Sequence, residues 1–302
     1  MYDILIIGAG PAGLTAALYA RRAEKSVLLL EKETFGGQIT YSPKVENFPT
    51  VMQLSGNELA EKMLDQVLAH GAEVALGQAT AIRRENDCFG VLTEDGEYLA
   101  RSVILATGSH HRLLGIDREE EFIGNGISFC AVCDGAFYAG KTVAVIGGGN
   151  TALQEALMLS ENCQKVFVVQ NLPMLTGEAK LARLLEQKDN VEIIYGTVVD
   201  ELIGEGALRG ILLRDTASGE RSRLEIDGMF VAIGQVPDND AFGDLIALDE
   251  RGYVNADESC MTNCPGIFVA GDCRRKSVRQ VTTACGDGAV AALAACRYLE
   301  GL

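Results

Sequence analysis

Three observations predict an α/β fold of two three-layer units, the second inserted into the first. A short apolar run at Tyr2 to Gly8 enters a glycine turn and then a helical pattern; the same order recurs from Thr142; and after residue 238 the pattern returns to one buried strand and a long helix. The last segment is therefore expected to rejoin the first unit.

Tyr2 to Gly8 reads as a buried parallel strand, Pro11 to about Arg22 as a helix with proline in its first turn, and Ser26 to Leu30 as a second buried strand ending at Glu31. This is a βαβ unit of dinucleotide-binding length. Glu58 to His70 sets Leu59, Met63, Leu64, Val67 and Leu68 on one helical stripe, with Gly71 as its C-terminal stop. Short strands from Ala79 to about Leu99 lead to the apolar strand Ser102 to Ala106. The second unit reads as strand Thr142 to Ile146, turn Gly147 to Gly149, helix Ala152 to Ser160 and strand Lys165 to Val169. A β-rich stretch follows to Ile233, then strand Gly266 to Gly271 and the Ala-rich helix Thr283 to Leu299. Both units are thus expected to be Rossmann-like dinucleotide-binding domains.

Composition narrows the function. The 302 residues carry 26 basic and 42 acidic side chains, a net charge of −16, which disfavours nucleic acid and anionic membrane as partners. No apolar run reaches the ~18 residues of a membrane span, and the first strand begins without a charged leader, so a cytoplasmic protein is expected. Nine cysteines, an odd number spread along the chain, predict mostly reduced thiols.

Gly8, Gly10 and Gly13 have the fingerprint spacing between strand and helix. Their missing side chains let the backbone approach a pyrophosphate at the helix N-terminus, and Glu31 is placed to accept ribose hydroxyls. Cys130 and Cys133 stand as Cys-x-x-Cys before Asp134. That spacing closes a small disulfide, and a neighbouring acid tunes thiol ionisation. Half of a zinc site is the competing reading. It is disfavoured because Cys260 and Cys264 are looser in spacing and His70, His110 and His111 form no matching motif, so no metal is expected.

The motifs assemble in order: IIGAGPAG at Ile6 to Gly13, GGQI at Gly36 to Ile39, VENFP at Val45 to Pro49, ATG at Ala106 to Gly108 and CAVCDG at Cys130 to Gly135. GGGNTA at Gly147 to Ala152, VAIG at Val231 to Gly234, AGD at Ala270 to Asp272 and RQVTTA at Arg279 to Ala284 follow. From end to end the chain resembles the low-molecular-weight FAD-dependent thioredoxin reductases. The resemblance implies a homodimeric flavoenzyme with an FAD-binding domain at 1–111 plus 238–302. A pyridine-nucleotide-binding-like domain at 112–237 would carry the Cys pair and rotate between flavin and partner protein. By position it implies FAD ligands Gly8, Gly10, Pro11, Ala12, Gly13, Glu31, Gly36, Gly37, Gln38, Asn47, Thr107, Gly108, Gly271, Asp272, Arg279, Gln280 and Val281. It also implies Cys133 nearer the flavin, Cys130 as the attacking thiol, and Asp134 as proton donor and acceptor, although a capping Asp would look the same.

The second unit departs from that family. Where the family, after its second strand, sets a His-Arg-Arg cluster and a further Arg against the NADPH 2′-phosphate, this chain reads Gln170, Asn171, Leu172, Pro173, Met174, Leu175, Thr176. Charge-assisted phosphate contacts are worth roughly 1.5–3 kcal/mol each, so losing two costs about 10²- to 10⁴-fold in affinity. Gly147, Gly149, Asn150, Thr151, Ile233 and Gly234, with Gln170 and Asn171 as amides for ribose hydroxyls, remain the candidate nucleotide site. The same glycines also suit a turn kept only for packing, and both readings stand. Expected activity is electron transfer from NAD(P)H through FAD and the Cys pair to thioredoxin or a thioredoxin-like protein. The alternatives are a ferredoxin-dependent reductase without pyridine nucleotide, and a non-catalytic flavin redox sensor.

Overall fold

The computed structural model describes residues 1–42 and 44–301; Pro43 and Leu302, the latter the last residue of the expected FAD-binding half, lie outside the described residues. In chain order the elements are β1 (Tyr2–Ile7), α1 (Pro11–Arg22), β2 (Val27–Glu31), α2 (Gly56–Ala69), β3 (Glu73–Leu76), β4 (Ala79–Glu85), β5 (Cys88–Thr93), β6 (Gly96–Leu105) and β7 (Ser109–His111). Next come α3 (Glu119–Phe122), β8 (Ile127–Ser128), α4 (Ala131–Asp134), β9 (Thr142–Ile146), α5 (Asn150–Ser160), β10 (Lys165–Val169), α6 (Ala179–Glu186) and β11 (Val191–Ile194). The chain ends with β12 (Thr197–Glu205), β13 (Ala207–Asp215), β14 (Arg221–Glu225), β15 (Gly228–Val231), β16 (Gln235–Pro237), β17 (Ile267–Val269) and α7 (Val281–Glu300).

Two compact units result: Met1–His110 together with the residues from Val236 onward, and His111–Gln235. In the first, the sheet runs β3-β2-β1-β6-β5-β4. The second half of β6 lies parallel between β1 and β17, and its first half pairs antiparallel with β5. α1 packs on α7 through small residues: Ala12, Ala16, Ala17 and Ala20 share one buried cluster with Ala284, Ala291, Ala292 and Ala295. The approach is close enough that a Cβ on Gly288 would meet the Ala12 carbonyl oxygen at 2.2 Å. Helix α2 starts at a capping box, Ser55 with Glu58, and stops where Gly71 turns left-handed at φ 79°. Its expected apolar stripe is buried at Leu59 and Val67, whereas Leu68 stays 43% exposed, because the buried arc is narrower than the apolar one.

In the second unit the parallel sheet β11-β10-β9-β15-β8 is joined by an antiparallel sheet β12-β13-β14. The stretch expected to be β-rich also contains the helix α6. Its start follows Pro173 and Gly177, which break the pattern that sequence periodicity relies on.

Candidate functional site

The first glycine loop leaves β1 at Gly8, whose φ is 104° and whose Cβ would meet the Ala106 carbonyl oxygen at 2.3 Å. A Cβ on Gly13 would meet the Gly8 oxygen at 1.9 Å, so these two glycines serve close packing. Gly10 differs: it is the N-cap of α1 with no side-chain cap, and a Cβ there would meet nothing nearer than Gly36 oxygen at 3.9 Å. Pro11 and buried Ala12 open the helix, and their turn presents unclaimed backbone to that open side.

Glu31 is buried, and both of its oxygens are engaged by backbone. Oε2 accepts the Ala9 N–H at 2.7 Å and Oε1 accepts the Glu33 N–H at 2.9 Å. Each keeps a further lone pair for a hydroxyl. Gly36 and Gly37, both at positive φ, bend the chain into the short 3-10 turn holding Gln38, and the Gly36 N–H donates to Ala9 oxygen at 2.8 Å. Asn47 donates to the Gln280 side chain at 3.3 Å, and Gln280 caps α7 ahead of Val281. Thr107 donates to Asn239 at 2.8 Å, and Gly108, at φ 71°, has open space where a Cβ would stand.

Asp272 follows Gly271 at the end of β17. Burial pushes its carboxyl pKa up against the pull of Lys276 and Arg279. Its Oδ1 is shut from solvent without a hydrogen-bond partner, although the Lys276 ammonium stands 3.4 Å away as an ion pair. The ammonium supplies charge at that distance, and the lone pairs of Oδ1 remain available to a hydroxyl. Arg279 lies over the Tyr253 ring at 4.2 Å and donates to the Asp272 carbonyl oxygen at 3.3 Å. A buried carboxylate held only by an ion pair, an uncapped helix start and open glycine faces fit a phosphate-bearing, hydroxyl-rich cofactor such as FAD. Sequence reasoning missed the support behind them: Asp287 accepts the Gly271 N–H at 3.1 Å and is itself gripped by Arg274 at 3.0 Å and Lys276 at 3.0 Å.

The second glycine loop repeats this geometry. Gly147 has φ 130°, Gly149 is the N-cap of α5 without a side-chain cap, and a Cβ on Gly149 would meet only Thr176 Oγ1 at 3.9 Å. Asn150 is committed, its Oδ1 accepting the Glu178 N–H at 2.6 Å, while Thr151 is exposed. Gln170 turns inward: it is 4% exposed, donates to Met174 oxygen at 3.1 Å, and crosses the Gly148 backbone closely enough to block a Cβ there at 2.4 Å. Asn171 is exposed, Ile233 half-buried, and Gly234 adopts φ 111° with its carbonyl receiving the Arg112 N–H at 3.0 Å. No cation stands from Gln170 through Ala179. The open side of Gly149 at the start of α5 suits a pyrophosphate.

Cys130 and Cys133 are joined as a disulfide with Cα atoms 5.3 Å apart, and Val132 between them is 55% exposed. Cys130 caps α4, its sulfur accepting the Cys133 N–H at 3.2 Å. Asp134 accepts the Ser128 hydroxyl at 2.6 Å on Oδ2, while Oδ1 is buried and unpartnered. Burial pushes its pKa up, against the Ser128 bond. Ser128 also receives the Cys130 N–H at 3.2 Å. Glu155 on α5 is the second carboxyl here, with Oε1 3.5 Å from the Ala131 N–H and Oε2 orphaned. Ser128 and Glu155 lack any motif signal, and only the fold brings them to the Cys pair. Among the described residues no His/Cys/Asp/Glu group is placed to hold a metal ion.

Two open glycine loops, one beside a buried acid, and a Cys-x-x-Cys disulfide flanked by a raised-pKa carboxyl define a dinucleotide-dependent dithiol–disulfide oxidoreductase. Residues 2–288 match the family described as pyridine nucleotide-disulphide oxidoreductase. The chain is 41% identical to thioredoxin reductase of Listeria monocytogenes, covering 100% of this chain and 95% of that one. It is also 41% identical to thioredoxin reductase of Treponema pallidum, covering 100% and 98%. The crystal structure of thioredoxin reductase from Streptococcus pyogenes superposes with a TM-score of 0.95 at 39% identity, covering 100% and 99%. The chain belongs to the pyridine nucleotide–disulphide oxidoreductases, in their low-molecular-weight thioredoxin reductase branch. It is an FAD-dependent oxidoreductase acting on a sulfur group.

Proposed function

We propose that this enzyme takes two electrons from a pyridine nucleotide, passes them through FAD to the Cys130–Cys133 disulfide, and delivers them to the disulfide of a thioredoxin or thioredoxin-like protein, working as a cytoplasmic homodimer. FAD, when bound, supplies the two-electron relay between donor and disulfide. Gly10, Pro11, Ala12, Glu31, Gln38, Asn47, Asp272 and Gln280 would hold it in the first unit. In the second unit Gly147, Gly149 and the start of α5 would hold the donor's pyrophosphate.

Once the disulfide is open, the Cys130 thiolate attacks one sulfur of the partner disulfide and the other sulfur leaves as thiolate. Cys133 then attacks Cys130, re-forming the internal disulfide and releasing the partner as a dithiol. Asp134 gives the proton that the departing thiolate needs and recovers it from the next dithiol; burial raises its pKa, so it holds that proton to higher pH than a free carboxyl. The observation that carries the reading is the juxtaposition of that carboxyl, its orphaned oxygen and the Cys pair next to exposed Val132.

One observation favours a second reading of the donor. Gln170 is spent on Met174 and on packing over Gly148, so it is not presented to a ribose, and electrons entering from reduced ferredoxin would require none of these residues. Anaerobic stopped-flow reduction of the bound flavin by NADPH, NADH and reduced ferredoxin at equal concentration tests both. Fast bleaching by either nucleotide supports the first reading; bleaching by ferredoxin alone replaces it with the second.

A further inference from the structure

The disulfide-bearing turn sits between two carboxyl groups, and only Asp134 has been given work. Four buried side-chain oxygens among the described residues lack a hydrogen bond; those of Asp200 and Asp272 stand in ion pairs, and the other two belong to Asp134 and Glu155, both next to the Cys pair. Their settings differ. Asp134 keeps a strong bond from Ser128 at 2.6 Å, which favours its charged form. Glu155 has only the Ala131 N–H, at 3.5 Å, and that amide is one peptide from Cys130.

We propose that Glu155 is the second protonatable group of the Cys130–Cys133 couple: its carboxyl takes up a proton when the disulfide opens and gives it back when the disulfide re-forms. This rests on the redox role proposed above for the Cys pair. Two electrons break the S–S bond into two sulfur anions, and one sulfur is protonated from solvent, so that Asp134 keeps its proton for the partner. The other remains a thiolate, and a carboxylate on the Ala131 amide would set a second negative charge, largely buried, against the same turn. Protonating Glu155 from solvent removes that repulsion, so the reduced site holds one thiolate with neutral Glu155. Glu155 acts through the Ala131 amide and the local potential, and is a positioning residue.

Among the described residues, the elements packed most closely on α5 set no cation against Glu155. Of the elements packed on α5, β9 is wholly uncharged, Lys165 of β10 pairs with Glu192, and Lys180, Arg183 and Glu186 of α6 are exposed; α4 contributes only Asp134. Beyond α4, the Tyr138 phenol is itself pushed up by burial and by Asp134 and Asp227. At the end of α5, Glu161 is paired with Lys188, and burial pushes the Cys163 thiol up, so it stays neutral. Burial accordingly pushes Glu155 up to about 7, against the single amide bond.

The test is the pH dependence of iodoacetamide alkylation at Cys130 and Cys133. It is read by peptide mass in wild-type and Glu155→Gln protein, each holding its flavin and each reduced beforehand with a phosphine. Chemical reduction needs neither donor nor thioredoxin, so a failed donor or partner assignment leaves the readout intact. Glu155→Gln keeps an oxygen for the Ala131 amide and cannot titrate. The wild type should show a second inflection besides that of the thiol. The variant should lose it and alkylate about three- to tenfold faster above pH 7, because coupling of one pKa unit is tenfold in thiolate population and lower nucleophilicity offsets part of the gain. Superimposable profiles would overturn the proposal. Should the variant fail to fold, the reduced-minus-oxidised infrared spectrum of Asp134→Asn protein decides: a protonated-carboxyl band gained on reduction supports Glu155, and no gain refutes it.

Discussion

The Ser128 hydroxyl donates to Asp134 Oδ2 at 2.6 Å and leaves Asp134 Oδ1 buried with no partner, so one carboxyl near the disulfide is half satisfied and half open. The Ser128 bond stabilises the anion, while burial, the larger effect, stabilises the acid. The folded pKa therefore lies above the unfolded one, and the protonated form is lost as pH rises through the folded value.

Asp134→Asn should lower disulfide reduction by about 10²- to 10⁴-fold, the range of a lost general acid, while flavin reduction by the donor stays unchanged. Ser128→Ala removes the bond that favours the anion, so the alkaline limb of the activity profile should move to higher pH. Steady-state assays with thioredoxin, and stopped-flow without it, separate the two half-reactions. A profile for Ser128→Ala that shifts to lower pH would contradict the assignment.

Gly8 and Gly10 should respond oppositely to alanine. Gly8→Ala forces a Cβ to 2.3 Å from the Ala106 oxygen at φ 104° and should cost several kcal/mol, of the order seen for strain and overpacking, visible as a large drop in thermal midpoint. Gly10→Ala meets no protein atom nearer than the Gly36 oxygen at 3.9 Å and should keep the fold, yet lose flavin on gel filtration, because its methyl would stand on the side proposed above for the cofactor. Full flavin retention by Gly10→Ala would remove that loop from the cofactor site.

Replacing exposed Asn171 and Leu172 by arginine should raise the NADPH:NADH ratio of kcat/KM by roughly 10- to 100-fold per productive contact, at 1.5–3 kcal/mol each. An unchanged ratio in a nucleotide-reducible enzyme would mean that the ribose end lies elsewhere. Steady-state kinetics at matched ionic strength give the ratio directly.

Cys133→Ser should abolish thioredoxin reduction while leaving Cys130 able to form a mixed disulfide with the partner, trapped and visible on a non-reducing gel. Residual turnover would exclude the relay through both thiols. A sensor without turnover would have none to lose in the wild type.

Much of the fold is legible because its signals are local. Gly8, Gly10 and Gly13 after an apolar run, Pro11 at the helix start and the repeat from Thr142 each depend on residues close in the chain, and the structure places β1, α1, β9 and α5 there. Helix α6 escaped because Pro173 and Gly177 interrupt the pattern before it, and a short amphipathic segment between breakers resembles loop.

What the amino-acid order determined by itself was chemistry carried by spacing: two glycine loops, a Cys-x-x-Cys-Asp segment and the loss of cations after β10. The tertiary structure alone decided which of those residues are free to act. It spends Gln170 on Met174, engages both Glu31 oxygens with backbone, and braces Gly271 with Asp287, itself held by Arg274 and Lys276. It also brings Ser128 and Glu155 to the disulfide from a strand and a helix that no motif connects. Burial and hydrogen-bond partnership depend on which distant segments pack together, and these set the proton affinity of a carboxyl; spacing along the chain carries no record of them.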